Sequence, residues 1–332
     1  MTIRSVDMTN RTDRTGRQGR LRSAASRAED RGRSRRNWKR TTWIWIFLVP
    51  TVVLYGLYTI YPIIASYWYS LVDWNGFDQN QSFVGLSNYR AVFSDPLFWN
   101  SFKITLLFML LVVPARVLLS LLLAMLLNSP KLPLIGVLRS AFFIPVVTTT
   151  AIIGVVMRLI LDPASGPINS VLLKLGGGGI DFLGNQHLAL PTAAVLYIWK
   201  FFGVTMIYWL AALQTISYEL IEASKIDGAG TWQIFRHITL PMLKPFLIII
   251  TVLTIEETFH NFDLMYTLTG GGPYFHTEII EIYIYRWAFA ASIPQLGHAS
   301  AAAVIFGLLV AVVGAIQLWA VYTSRRMRGA DR

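Results

Sequence analysis

Six stretches of the chain are apolar and almost free of charge for about twenty residues or more: 43–71, 101–127, 138–161, 190–213, 246–268 and 298–322. A helix rises about 1.5 Å per residue and the hydrocarbon core of a bilayer is about 30 Å thick, so each stretch is long enough to cross a membrane. The pattern predicts an all-α, polytopic membrane protein with six transmembrane helices. The first stretch is too long for the apolar part of a cleaved signal, and no small-residue cleavage site follows it. Trp43 and Trp45 flank one of its ends, and Tyr67, Trp68 and Tyr69 the other. Amphipathic rings in those places suit the two membrane interfaces.

Charge fixes the expected orientation. Residues 1–42 hold 13 Lys/Arg against 4 Asp/Glu, which accounts for +9 of the net +11. Basicity is therefore a property of the tail, and it gives no reason to expect a nucleic-acid partner. The tail has few apolar residues to bury, so 1–42 is expected to be a disordered basic cytoplasmic segment. Contact with anionic lipid headgroups and a plain topology signal are both open to it. With the N-terminus inside, most Lys/Arg fall on the inner segments, and the outer loops carry Arg90, Lys174 and Arg286. Both termini are thus expected in the cytoplasm of a cell whose plasma membrane the chain crosses.

Composition agrees, with 54% hydrophobic and 14% charged residues against about 25% charged in soluble domains. The absence of cysteine excludes disulfides, thiolate metal sites and cysteine nucleophiles. Neither glycine run, Gly176–Gly179 or Gly270–Gly272, ends in the Lys–Ser/Thr pair of a phosphate-binding loop, and no Gly-x-Ser-x-Gly occurs. The five histidines have no metal-ligand spacing. The sequence therefore suggests neither an enzyme nor a resident metal or cofactor.

The inner loop 214–245 is the most informative stretch; its 218–245 part reads YELIEASKIDGAGTWQIFRHITLPMLKP. A short helix from Tyr218 to Lys225, a break at Gly228 and Gly230, and a second helix with Ile234, Ile238 and Leu240 on an apolar face are expected, with Pro241 closing it. Such a helix–turn–helix is suited to docking into a partner's groove. Glu222, Ala223, Ser224, Gly228, Ile238, Leu240 and Pro241 resemble the "EAA" signature of binding-protein-dependent ABC importer permeases: Glu-Ala-Ala, three residues, Gly, nine residues, Ile-x-Leu-Pro. Ser224 stands for the second Ala. FVGLSNYRAVFSDPLFWNSFKITLLF (Phe83–Phe108) and DLMYTLTGGGP (Asp263–Pro273) are similar to stretches of the maltose-type carbohydrate branch, so the likeness covers about 43–325.

The resemblance implies half of a translocation pathway, completed by a second homologous permease subunit. It implies ATP-binding subunits that hold ATP and Mg, on which loop 214–245 docks, and an extracytoplasmic substrate-binding protein that delivers a sugar. A permease for a sugar phosphate or glycerol phosphate remains an alternative, and a secondary transporter or channel is a third reading.

Polar residues inside the spans are the candidates for a substrate path. At about 100° per residue, Glu256, Glu257, His260, Asn261 and Asp263 share one half of a continuous fifth helix, opposite Phe259, Phe262 and Tyr266. Trp199 and Lys200 in the fourth span are further candidates, with packing open to Trp199. Arg116, after Pro114 in the second span, is expected to pair with a carboxylate of the fifth. Arg158 sits near a span end and can snorkel.

Overall fold

The computed structural model describes residues 43–78, 81–128 and 133–330, without the side chains of residue 320 and of 322–330. The basic tail 1–42 therefore lies outside the described residues. The described chain divides into two units, 43–65 and 66–330. The first holds most of helix α1 (Trp43–Tyr69), a 27-residue apolar helix. A wide turn at Gly56–Ile60, closed by the Tyr61 N–H on the Gly56 carbonyl, immediately precedes Pro62. A proline ring inside a helix clashes with the carbonyl four residues back, and widening the preceding turn is one way to make room.

The second unit is helical apart from a two-stranded antiparallel ribbon, Val72–Asp73 with Ser82–Phe83. A short helix α2 (Ser87–Ser94) leads to α3 (Pro96–Leu127). Asp95 caps α3 by accepting the Leu97 N–H at 2.8 Å, and Pro96 occupies a first-turn position where its missing N–H costs nothing. α3 packs along α7 (Ala189–Leu213), and these two helices form the centre of the unit. Buried Ala124, Ala193, Ala194 and Ala212 keep the packed faces of the pair small. The Trp209 indole N–H bonds the Val117 carbonyl, and the Ser120 hydroxyl bonds the Phe202 carbonyl, so two polar side chains tie the packed faces together.

The third span departs from its predicted form. The stretch 138–161 is not one helix. α4 (Ile135–Val147) and α5 (Thr150–Ile160) meet at a 95° bend. Thr148 and Thr149 are both extended, with ψ of 140° and 132°. The halves measure about 20 Å and 16 Å at 1.5 Å per residue, so neither alone crosses a 30 Å hydrocarbon core. Among the described residues five helices are long and apolar enough to span by themselves, and the bent pair makes the sixth crossing if it counts as one.

The fifth span is also broken, at a different place. After α6 (Pro167–Lys174), α7 and α8 (Tyr218–Ile226), helix α9 runs unbroken from Thr231 to Phe259. It passes Pro241 through a wide turn at Phe235–Thr239, in which the Leu240 N–H reaches the Phe235 carbonyl. Pro241 therefore does not close the loop helix: the second loop helix and the fifth span are one 29-residue element. That element ends at His260, and a separate helix α10 (Phe262–Leu268) follows. The segment after it forms α11 (Ile280–Tyr285), continuing as a wide turn over Arg286–Ala290, and α12 (Leu296–Ala330) is the last described helix.

Candidate functional site

The first site is the helix–turn at Tyr218–Gly230. Ser217 caps α8 by accepting the Leu220 N–H. At the other end the Ala229 N–H bonds the Ser224 carbonyl and the Gly228 N–H bonds the Lys225 carbonyl. Those two bonds, with Gly228 at φ +84°, make the left-handed helix terminator that satisfies the last carbonyls. Gly230 then opens α9, its N–H donating to Gln233 Oε1 at 2.8 Å. The Gly228 position has open space around it, so its requirement for glycine is set by backbone angle alone.

The signature residues divide between two surroundings. Glu222, Ala223, Gly228 and Pro241 are exposed, Ser224 is half-buried with its hydroxyl on the Leu220 carbonyl, and Ile238 and Leu240 are half-buried. Ile234 is buried, so the predicted apolar ridge of Ile234, Ile238 and Leu240 turns partly inward. The cause is the continuity of α9 with its span. The most exposed apolar side chains are instead Tyr218, Ile226 (82% exposed) and Trp232, whose ring lies 5.5 Å from that of Phe235. Nothing in the signature marks Ile226 and Trp232; their signal was apolar character at otherwise polar loop positions.

The second site lies where the broken spans meet α3 and α7. Arg116, fully buried, donates to Glu257 Oε2 at 2.5 Å, so the predicted pairing with a fifth-span carboxylate is present. The Phe201 ring lies 5.4 Å from its guanidinium, and the Arg116 Nε and Nη1 have no partner among the described residues. Tyr197, also buried, donates its hydroxyl to the Glu257 carbonyl at 2.7 Å. Two elements thus hold Glu257 while its side chain keeps 32% exposure. Its second oxygen has acceptor capacity to spare.

Lys200 does something the sequence did not indicate. Its side chain is buried and its ammonium donates to the carbonyls of Pro145, Val146 and Thr148, the last at 2.7 Å. These are the unpaired carbonyls left where α4 stops, and a cation at a helix C-terminus also opposes its dipole. Gly203, one turn along α7, permits this reach: a Cβ there would overlap the Phe142 carbonyl of α4. Lys200 is therefore an anchor of the third-span break rather than part of an open path in this conformation.

Asn261 is corrected in the same way. A continuous helix would have set it one turn beyond Glu257 on the same face, but the break at His260–Asn261 ends that register. Its side chain is buried with neither amide atom partnered among the described residues. The break is secured by Glu281 of α11, whose Oε2 accepts the Asn261 N–H at 3.1 Å while Oε1 lies 3.5 Å from His260 Nδ1. Burial pushes the Glu281 carboxyl up from the usual range, and His260 partly offsets this. Two breaks thus carry two opposite charges: a lysine on the carbonyls ending α4, a glutamate on the amides beginning α10. Glu256, His260, Asp263 and Trp199 remain exposed.

Losing the Lys200 charge should loosen the third-span break. Charge-assisted hydrogen bonds contribute about 1.5–3 kcal/mol each when their partners are buried. The natural chain has no cysteine, so a single cysteine at Thr149 reports access. We expect Lys200→Met to accelerate its labelling at least fivefold; an unchanged rate would remove Lys200 as the anchor.

A family model for "binding-protein-dependent transport system inner membrane component" matches residues 104–328. The chain is 35% identical to a probable ABC transporter permease protein of Pyrococcus horikoshii, over 82% of this chain and 93% of the relative. It is 32% identical to a lactose transport system permease protein of Rhizobium radiobacter, with 83% and 93% covered. It is 32% identical to an arabinooligosaccharides transport system permease protein of Bacillus subtilis, with 82% and 87% covered. The fold is similar to that of a chain in a bacterial ABC transporter involved in the import of the acidic polysaccharide alginate. The TM-score is 0.73 and the identity 24%, over 89% of this chain and 99% of that one.

Proposed function

Because the chain belongs to the family of binding-protein-dependent transport system inner membrane components and is a multi-pass ABC permease subunit, we propose that it forms half of the path of a sugar importer. A second homologous permease subunit supplies the other half. ATP and Mg bind separate ATPase subunits, and an extracytoplasmic binding protein delivers the sugar. The relatives named for lactose and arabinooligosaccharides support the substrate class.

The observation that carries this reading is the helix–turn at Tyr218–Gly230. It exposes Glu222, Ala223 and Ile226 on a glycine-terminated helix in the register of the signature, with exposed Trp232 just beyond the turn. An exposed amphipathic helix of this kind fits a groove on a partner. Rocking of the two permease halves, driven from that contact, alternates access to the polar groups between the spans. Glu257 is the residue best placed to meet sugar hydroxyls, with Glu256, His260 and Trp199 on exposed surface near it in sequence. Arg116 is committed to Glu257 and is fully buried, which argues against a phosphate-bearing substrate. The signature argues against a carrier driven by an ion gradient.

Two measurements test the reading. In cells carrying the complete importer, inactivating the ATPase subunit should abolish sugar uptake, and uptake that follows the pH gradient instead would reject it. The orientation is tested by single cysteines at Ala229 and Gly178. A label confined to the cytoplasm should reach Ala229 and leave Gly178 unmodified; the reverse pattern would overturn the proposed topology.

A further inference from the structure

Beyond His260 the chain builds an aromatic strip from two helices. α10 presents Phe262 and Tyr266 four residues apart, with rings nearly parallel at 12° and centroids 5.1 Å apart. α11 and the wide turn after it present Glu281, Tyr285 and Phe289, also at four-residue steps. Tyr285 closes the strip: its ring lies 4.9 Å from Tyr266, 5.2 Å from Phe262 and 5.5 Å from Phe289. Tyr266 is 40% exposed and Phe289 69% exposed, so the strip has an open surface. At one end stands the His260–Glu281 pair, with the His260 side chain 63% exposed.

We infer that this strip is a carbohydrate-binding subsite that takes a pyranose ring on Tyr266, with its hydroxyls toward His260 and Glu281. The inference rests on the sugar-importer reading and adds a site to it. A pyranose has an apolar C–H face and a rim of hydroxyls, so it needs a flat ring beneath and acceptors at the edge. The strip supplies both. Its first ring, Phe262, follows Glu257 by five residues, across the break at His260–Asn261. Rings facing the hydrocarbon itself would not stand beside an imidazole and a carboxylate, which are costly there.

The test uses the complete importer with its binding protein and ATPase, and labelled sugars from monosaccharides to tetrasaccharides. Tyr266→Phe keeps the ring face and Tyr266→Leu keeps apolar bulk without it. We expect Leu to lower sugar uptake about tenfold and Phe to retain at least half, with complex recovery and basal ATPase activity unchanged in both. Wild-type uptake by the Leu variant would overturn the subsite and leave the sugar reading intact. Equal losses in Phe and Leu would show a hydroxyl role and overturn stacking. Poor recovery of the Leu complex would show a contact between subunits instead. No uptake of any sugar by the unmodified importer would reject the sugar reading and the subsite together.

Discussion

Valine at Gly228 should leave the chain in the membrane and cut ATP-driven uptake at least tenfold. No neighbouring atom would touch the new Cβ, so crowding is not the cause. The cause is φ of +84°, a conformation that costs an ordinary residue about 1–3 kcal/mol, with a β-branched side chain at the upper end. Relief requires the terminator bonds from Ala229 to Ser224 and from Gly228 to Lys225 to open, which frays α8 and re-aims Glu222 and Ala223. Each 1.4 kcal/mol shifts a population tenfold. Gly178→Val is the control, because Gly178 also has open space and does not have a left-handed φ. It should transport normally. Equal activity of Gly228→Val and Gly178→Val, at equal expression, would remove the docking role of the turn.

The second large effect concerns the buried pair. Breaking a buried ion pair by removing one partner costs about 3–5 kcal/mol, because the remaining charge is left unpaired. Glu257 is one-third exposed, so the cost of stranding it is discounted, whereas stranding the fully buried Arg116 carries the whole figure. We therefore expect Glu257→Leu to reduce recovery of folded protein more than Arg116→Leu does. The double variant Arg116→Leu/Glu257→Leu should recover better than Glu257→Leu alone. Thermal aggregation midpoints of the three variants in one detergent decide the matter. A double variant as unstable as the two single losses added together would show that the pair has no coupling.

The six apolar stretches were legible because lipid demands length and apolarity, and both can be read directly from the chain. The Gly228 turn was legible because a left-handed terminator needs a particular residue. The two breaks were not. At 148–149 the chain continues apolar on both sides, and three threonines do not by themselves stop a helix. At 260–261 there is no glycine or proline; the N–H freed by the break is taken by Glu281, twenty residues away. That carboxylate is a tertiary partner, and helical periodicity carries no record of it. A wheel drawn on one continuous helix through Glu257 and Asn261 therefore does not apply across the break. Lys200 was misread because its acceptors are backbone carbonyls, which have no letter in a sequence. Arg116 was read correctly because a lone guanidinium in a span has few ways to be satisfied other than a carboxylate in another span.

The two halves of the Arg116–Glu257 pair are 141 residues apart in the chain. A ribosome adding about 5–20 residues per second makes the arginine roughly 7–28 seconds before its partner. During that interval the second span carries an unpaired guanidinium, at a cost of about 2.5–3.5 kcal/mol if it sits at the bilayer centre. The apolar residues of the second span outweigh that cost, so the helix can insert when it is made, but the same figure favours holding the guanidinium toward the headgroups in the meantime. We therefore expect the last adjustment in depth of the second span to await the arrival of Glu257 in the fifth.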